Sequence, residues 1–168
     1  MPQNLPEFEK LIRSLDENEV RFVIVGGIAM VLHGSDYSTV DSDFAVADDS
    51  EVTEPLVRAL AGFNPRPTHF SPGTPFVWDA RSIFGAVISL STDAGDVDLL
   101  RVLPGVDSFD GLMDRSVVRR IFGMDVHVAS IQDLIAMKKA ANRPKDLNHI
   151  SELEALAALQ NDHPESGR

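Results

Sequence analysis

Cysteine is absent from the 168 residues, which rules out a disulfide framework, a thiolate metal site and reactive-thiol chemistry. Aromatic residues are few, with one tryptophan and one tyrosine, and no apolar run approaches the roughly 20 residues that would span a bilayer. The opening Met1-Pro2-Gln3-Asn4 lacks the basic-then-apolar layout of a signal peptide. A soluble cytoplasmic protein with no membrane partner is therefore expected. Basic residues are scarce as well: 15 Lys and Arg stand against 26 Asp and Glu, for a net charge of −11. Affinity for phosphate backbones comes from Lys and Arg, so duplex DNA is not an expected partner. A small nucleotide carried with Mg²⁺ suits this balance better. Also missing are the Gly-x-x-x-x-Gly-Lys, Gly-x-Gly-x-x-Gly, Gly-x-Ser-x-Gly and His-Glu-x-x-His motifs, and with them the chemistries those spacings serve.

What is present is organised around one stretch. The apolar run Val23-Ile24-Val25 stops at Gly26-Gly27, and Ile28-Ala29-Met30-Val31-Leu32-His33-Gly34 follows with helical character, which reads as strand, tight turn and short helix. The glycines let the backbone come close to a phosphate. Thr39-Val40-Asp41-Ser42-Asp43 then leads into Phe44-Ala45-Val46. In a strand, Asp41 and Asp43 share a face. A phosphate seat and a carboxylate pair so close in sequence are the ingredients of metal-assisted phosphoryl or nucleotidyl transfer.

The rest of the chain predicts one α/β domain over 1–168, a mixed sheet covered by helices, with a sheet-bearing core over 1–128 and C-terminal helices over 129–162. Phe8, Leu11, Ile12 and Leu15 recur at helical spacing. Strands are expected at 20–25, 40–46, 76–78, 83–90 and 97–102, a helix at 51–61, a Pro- and Gly-rich loop at 62–75, a short helix at 108–115 and a hairpin about Gly123. Ser130-Ile131-Gln132-Asp133 has the form of a capping box opening a helix to Ala141. Leu147, Ile150, Leu153 and Leu156 mark a last amphipathic helix, with 163–168 frayed.

The pattern Gly-Gly, helix, His-Gly, Thr-x-Asp-x-Asp resembles the nucleotidyltransferase fold shared with DNA polymerase beta, and in particular the small bacterial abortive-infection toxin-type enzymes. Gly95-Asp96-Val97-Asp98-Leu99-Leu100 looks like the strand bearing that fold's third carboxylate. Asp133-Leu134-Ile135-Ala136-Met137-Lys138 with Arg143-Pro144-Lys145-Asp146 looks like the group's C-terminal signature. Tyr37 stands where many such relatives have arginine, and Ser42 where they have an aliphatic residue. The resemblance implies transfer of a nucleoside monophosphate from a nucleoside triphosphate to an acceptor hydroxyl, with release of pyrophosphate. The acceptor is a small molecule, an RNA end or a protein hydroxyl. The alternative is a catalytically weak or inactive regulatory protein of the same fold, a toxin–antitoxin component or partner-binding module.

The resemblance makes Asp41, Asp43 and Asp98 the candidate catalytic and metal-binding residues, with Mg²⁺ or Mn²⁺ as cofactor. Three carboxylates on neighbouring strands repel one another unless cations intervene, and Mg²⁺ suits an all-oxygen site that also uses substrate phosphates. The plain reading of Asp41 and Asp43 is a solvated acidic turn. Asp96 competes with Asp98, being two residues away on the same strand. The candidate nucleotide-binding residues are Gly26, Gly27, Thr39, Lys138, Arg143 and Lys145. Lys138 falls at the centre of the stripe Ile131, Leu134, Ile135, so it either snorkels or meets an anion. Arg143 and Lys145 suit a plain loop equally well, and Thr39 serves phosphates or simply favours β structure. His33 reads as a helix end against the helix dipole, and Trp78 as core.

Overall fold

The computed structural model describes residues 5–162. Its elements, in chain order, are α1 (Leu5–Glu17), β1 (Phe22–Ile24), α2 (Gly26–Leu32), β2 (Ser42–Val46), α3 (Thr53–Ala61), β3 (Arg66–Pro67), a 3₁₀ turn (Ala80–Ser82), β4 (Val87–Thr92), β5 (Gly95–Leu100), α4 (Phe109–Arg115), β6 (Val117–Ile121), β7 (Met124–Val128), α5 (Ile131–Ala141) and α6 (Asp146–Asp162). The seven strands form one mixed sheet in the order β3-β4-β5-β2-β1-β7-β6. Pairs β2–β5 and β1–β7 are parallel, and the remaining neighbours are antiparallel.

Local chemistry accounts for most of these elements. Phe8, Leu11, Ile12 and Leu15 put the apolar stripe of α1 into the core, where Phe8 stacks on Phe44 of β2 at 6.3 Å. The Ser14 hydroxyl donates to the Ala59 carbonyl at 2.6 Å, fastening α1 to α3. Ser130 caps α5: its hydroxyl accepts the Asp133 N–H at 3.1 Å, one of the donors that a bare helix start leaves unpaired, and donates to the Asp133 carboxylate at 2.9 Å. Asn142 ends α5 in the left-handed conformation, φ 49°, a common helix stop.

Three sequence expectations are corrected. Residues 76–78 form no strand; the Trp78 indole N–H instead donates to the Val57 carbonyl at 2.9 Å while the ring packs on the core. The strand expected from 83 begins only at Val87, because the preceding turn passes through Gly85 at φ +90°. Leu147, placed on the apolar face of the last helix, is exposed, whereas Leu153 is buried. The expectation for 163–168 lies outside the described residues. No described helix is long and apolar enough to cross a membrane.

Candidate active site

The parallel register of β2 with β5 sets Asp43 beside Asp98, one step along from Ser42 beside Val97. Residues directly opposite on paired strands share a face, so both carboxylates border the same cavity, and Asp41 joins its wall from just before β2. The cavity has a volume of about 440 Å³. Asp98 lines it and Asp96 does not. Asp96 lies within β5 and accepts a hydrogen bond from the Ser91 hydroxyl at 2.7 Å.

Burial, then the charges of Asp98 and Asp41, raise the Asp43 carboxyl to about 6. A hydrogen bond from the Gly27 N–H and the positive charge of Lys138 act in the other direction. Asp43 is thus a partly desolvated carboxylate among like charges, and all neighbouring acidic donors are oxygen. That donor set fits a hard divalent cation, whose charge would relieve the repulsion. Among the described residues, no three His, Asp or Glu side chains are already gathered into a set able to hold a metal ion. Asp41 is the exposed member.

The diglycine serves this carboxylate directly. Gly26 adopts φ +63°, and a Cβ there would lie 1.9 Å from Asp43 Oδ2. At Gly27 a Cβ would meet Thr39 and the Tyr37 ring at 2.9 Å. Thr39 is buried against this turn, in the loop ahead of β2. The Val25 N–H donates to the Asp43 carbonyl at 3.0 Å, carrying the β1–β2 ladder up to the turn.

The opposite wall is basic. Lys138 on α5 points inward, as its place in the apolar stripe requires. The anion it meets is Asp146, at 3.5 Å from Nζ. Asp146 is 1% exposed and also receives Arg143 Nε at 2.7 Å and Nη2 at 3.2 Å. Arg143, aided by Lys138, holds the Asp146 carboxyl below the usual carboxylate range. Burial lowers Lys138, with Asp146 opposing, and His149 Nδ1 lies 3.1 Å from its Nζ. Burial likewise lowers His149, whose ring meets Tyr37 edge to face at 4.8 Å. Lys145 borders the same cavity. Lys138 and Arg143 around one buried carboxylate, with Lys145 also bordering the cavity, leave a net positive wall beside the acidic one.

Asp41, Asp43, Asp98, Gly26, Gly27, Thr39, Lys138, Arg143 and Lys145 therefore all line one cavity, and the rival Asp96 does not. The sequence reading places Asp146 only within the C-terminal signature, without a role, and does not single out His149 or the loop after β5. Gly105 of that loop, at φ +89°, sits so close to α5 that a Cβ would lie 2.4 Å from the Ala136 carbonyl oxygen. This close approach seats Pro104 in the cavity wall beside Met137, Ala140 and Ala141. His33 stands apart from the cavity. Its Nε2–H donates to the Ala129 carbonyl at 2.8 Å, and burial lowers its pKa. It is a neutral tie between α2 and the end of β7, not a charge set against the helix dipole.

A family model described as "Nucleotidyl transferase of unknown function (DUF2204)" matches residues 4–162. No curated protein sequence matches the chain. Among solved structures, TM1012 of Thermotoga maritima, described as a nucleotidyltransferase, superposes with a TM-score of 0.51 at 20% identity over 96% of each chain. The antibiotic-resistance factor ANT(2'')-Ia gives 0.55 at 14% identity, covering 95% of this chain and 92% of its own. The lincosamide antibiotic adenylyltransferase LnuA, solved with lincomycin bound, gives 0.59 at 14% identity, covering 90% of this chain and 96% of its own. At these identities the likeness establishes the fold.

Proposed function

The chain belongs to the nucleotidyl transferase family DUF2204, and from that premise we propose that it moves a nucleoside monophosphate from a nucleoside triphosphate to an acceptor hydroxyl in a metal-dependent reaction. The observation that carries this reading is the two-sided cavity, with Asp43 and Asp98 in register on one wall and Lys138, Arg143 and Lys145 on the other.

Asp43 and Asp98, with Asp41 beside them, would hold Mg²⁺ or Mn²⁺. When bound, such an ion neutralises donor phosphate charge and makes the attacking hydroxyl more acidic. The basic wall receives the triphosphate. Lys138 and Arg143 are held at fixed positions by Asp146, so they meet the phosphates with little ordering cost. Gly26 and Gly27, lacking side chains, let the phosphates approach the β1–α2 turn, and the Thr39 hydroxyl adds a polar contact there. The acceptor oxygen bonds to the α-phosphorus as the bond to the β-phosphate oxygen breaks. The hydroxyl proton passes to the Asp98 carboxylate, and pyrophosphate leaves along the basic wall.

The test is incubation of the protein with each α-phosphate-labelled nucleoside triphosphate, Mg²⁺ or Mn²⁺, and a cell extract. Transfer of label by the wild type and its loss in Asp43→Asn supports the reading. No transfer with any triphosphate, together with a stable complex with a second protein, would assign the chain a regulatory role as a toxin–antitoxin component or partner-binding module instead.

A further inference from the structure

Beyond β5, on the side away from β2, the carboxylate face of the sheet continues onto β4. The antiparallel β4–β5 register places Ser89 beside Asp98 and Val87 beside Leu100, so a row Asp43–Asp98–Ser89 crosses three strands on one face, with Leu100 and Val87 one step along. Val87 and Leu100 both line the cavity, as does Pro104. Val87 is 50% exposed, and near it Phe84 is 73% exposed and Val102 also exposed. The turn that carries Phe84 is pinned here, since the N–H groups of Arg101 and Val102 both donate to the Ala86 carbonyl, at 2.8 and 3.1 Å.

We infer that this shelf, built on Val87, Leu100 and Pro104 beside Asp98, is the acceptor subsite, and that it takes a small, non-anionic organic alcohol with an apolar face. This deepens the transferase reading above and rests on it. Two observations support the assignment. First, all the basic residues bordering the cavity, Lys138, Arg143 and Lys145, come from α5 and the turn after it. β4, β5 and the following loop contribute none to the cavity wall. An RNA end needs cations to track its backbone, and this shelf supplies none to the cavity wall; the exposed Phe84 ring lies outside the cavity lining. Arg101 does not alter this, because its guanidinium is held by Asp48 at 2.6 Å and the Gly85 carbonyl at 3.3 Å. Second, Val87 is half exposed while lining the cavity beside Leu100 and Pro104, and apolar side chains presented in a cavity wall are what small ligands with an apolar face dock upon. An alcohol lying on Val87 and Leu100 would extend its hydroxyl toward Asp98, one step along the same face.

The experiment follows label from an α-phosphate-labelled triphosphate with Mg²⁺ into a cell extract separated into metabolites below about 1 kDa, RNA and protein. The inference expects label in the low-mass fraction, reduced about tenfold or more in Val87→Asp, the order of discrimination one lost apolar contact gives. The triphosphate-induced melting shift of that variant should equal that of the wild type. Phe84→Ala, at an exposed side chain outside the cavity lining, should leave the labelling close to that of the wild type. Label in RNA or protein, or low-mass labelling indifferent to Val87→Asp, overturns the subsite while leaving the transferase reading standing. Absence of label from every fraction overturns both.

Discussion

Asp43 and Asp98 face each other across the parallel β2–β5 pair, and the charge of Asp98 is among the causes that raise the Asp43 carboxyl to about 6. Ionising Asp43 in the folded, metal-free protein therefore costs free energy. Asp43→Asn keeps the shape and removes the repulsion. In EDTA at neutral pH it should stabilise the fold by up to about 1–3 kcal/mol, read as a raised urea midpoint, while transfer falls about a hundredfold or more. A variant both inactive and less stable would contradict this description of the pair.

The diglycine makes a steric prediction. Gly26→Ala puts a methyl 1.9 Å from Asp43 Oδ2 on a backbone at φ +63°, so the carboxylate or the turn must shift. A loss of about 1–3 kcal/mol is expected, with transfer lost as well. Gly62→Ala is the control: nothing lies within 4 Å of its Cβ, and its φ is −74°. Equal effects of the two substitutions in chemical denaturation would show that the turn is not constrained as described.

The basic wall is tested by linkage. A nucleoside triphosphate with Mg²⁺ at a hundred times its dissociation constant should stabilise the wild type by about 2.7 kcal/mol. Lys138→Met, similar in length and uncharged, should lose most of that shift in a thermal melt while remaining folded, because Arg143 still pairs with Asp146. Asp146→Asn instead leaves Lys138 and Arg143 around a neutral buried amide, and should destabilise the protein by about 3–5 kcal/mol without any nucleotide.

His33 sets a pH dependence of stability. Its folded-state pKa lies below the ordinary 6.5 because burial disfavours the charged ring. The unfolded chain therefore takes up the proton first as pH falls. The stability tied to neutral His33 is complete above about 6.5 and is lost as pH drops through that value toward the lower folded-state pKa. Asp43, with its carboxyl raised to about 6, contributes with the opposite sign over the same range, so the comparison is with His33→Leu: between about pH 7.5 and pH 5 the wild-type urea midpoint should fall relative to that of the variant. That variant starts lower by about 1–3 kcal/mol, since the Ala129 carbonyl loses its donor. A slope unchanged by the substitution would assign the pH dependence elsewhere.

Much of this architecture was legible in the sequence wherever the signal is local. Gly26-Gly27, the Ser130–Asp133 cap and the hairpin at Gly123 each depend on a few adjacent residues, and the structure places each where expected; Asp41 is the exception, expected on one strand with Asp43 but lying exposed just ahead of β2, which begins at Ser42. The inward aim of Lys138 was legible too, because helical periodicity fixes it. Its partner was not: an acidic residue opening a helix reads as a complement to the helix dipole, and only the turn between α5 and α6 brings Asp146 under both Lys138 and Arg143. Apolar spacing also misled at Leu147, since spacing reports a face but not whether another element covers it. The acceptor shelf was hidden for the same reason, Val87 reading simply as part of the strand expected over 83–90.

The most direct measurement is Mn²⁺ binding followed by electron paramagnetic resonance, with a nucleoside triphosphate present, in the wild type, Asp43→Asn and Asp98→Asn. The account predicts protein-bound Mn²⁺ in the wild type and its loss in both variants, with the folds intact by circular dichroism. Mn²⁺ held as tightly by Asp98→Asn as by the wild type would contradict it, because the two facing carboxylates would then not act as one site.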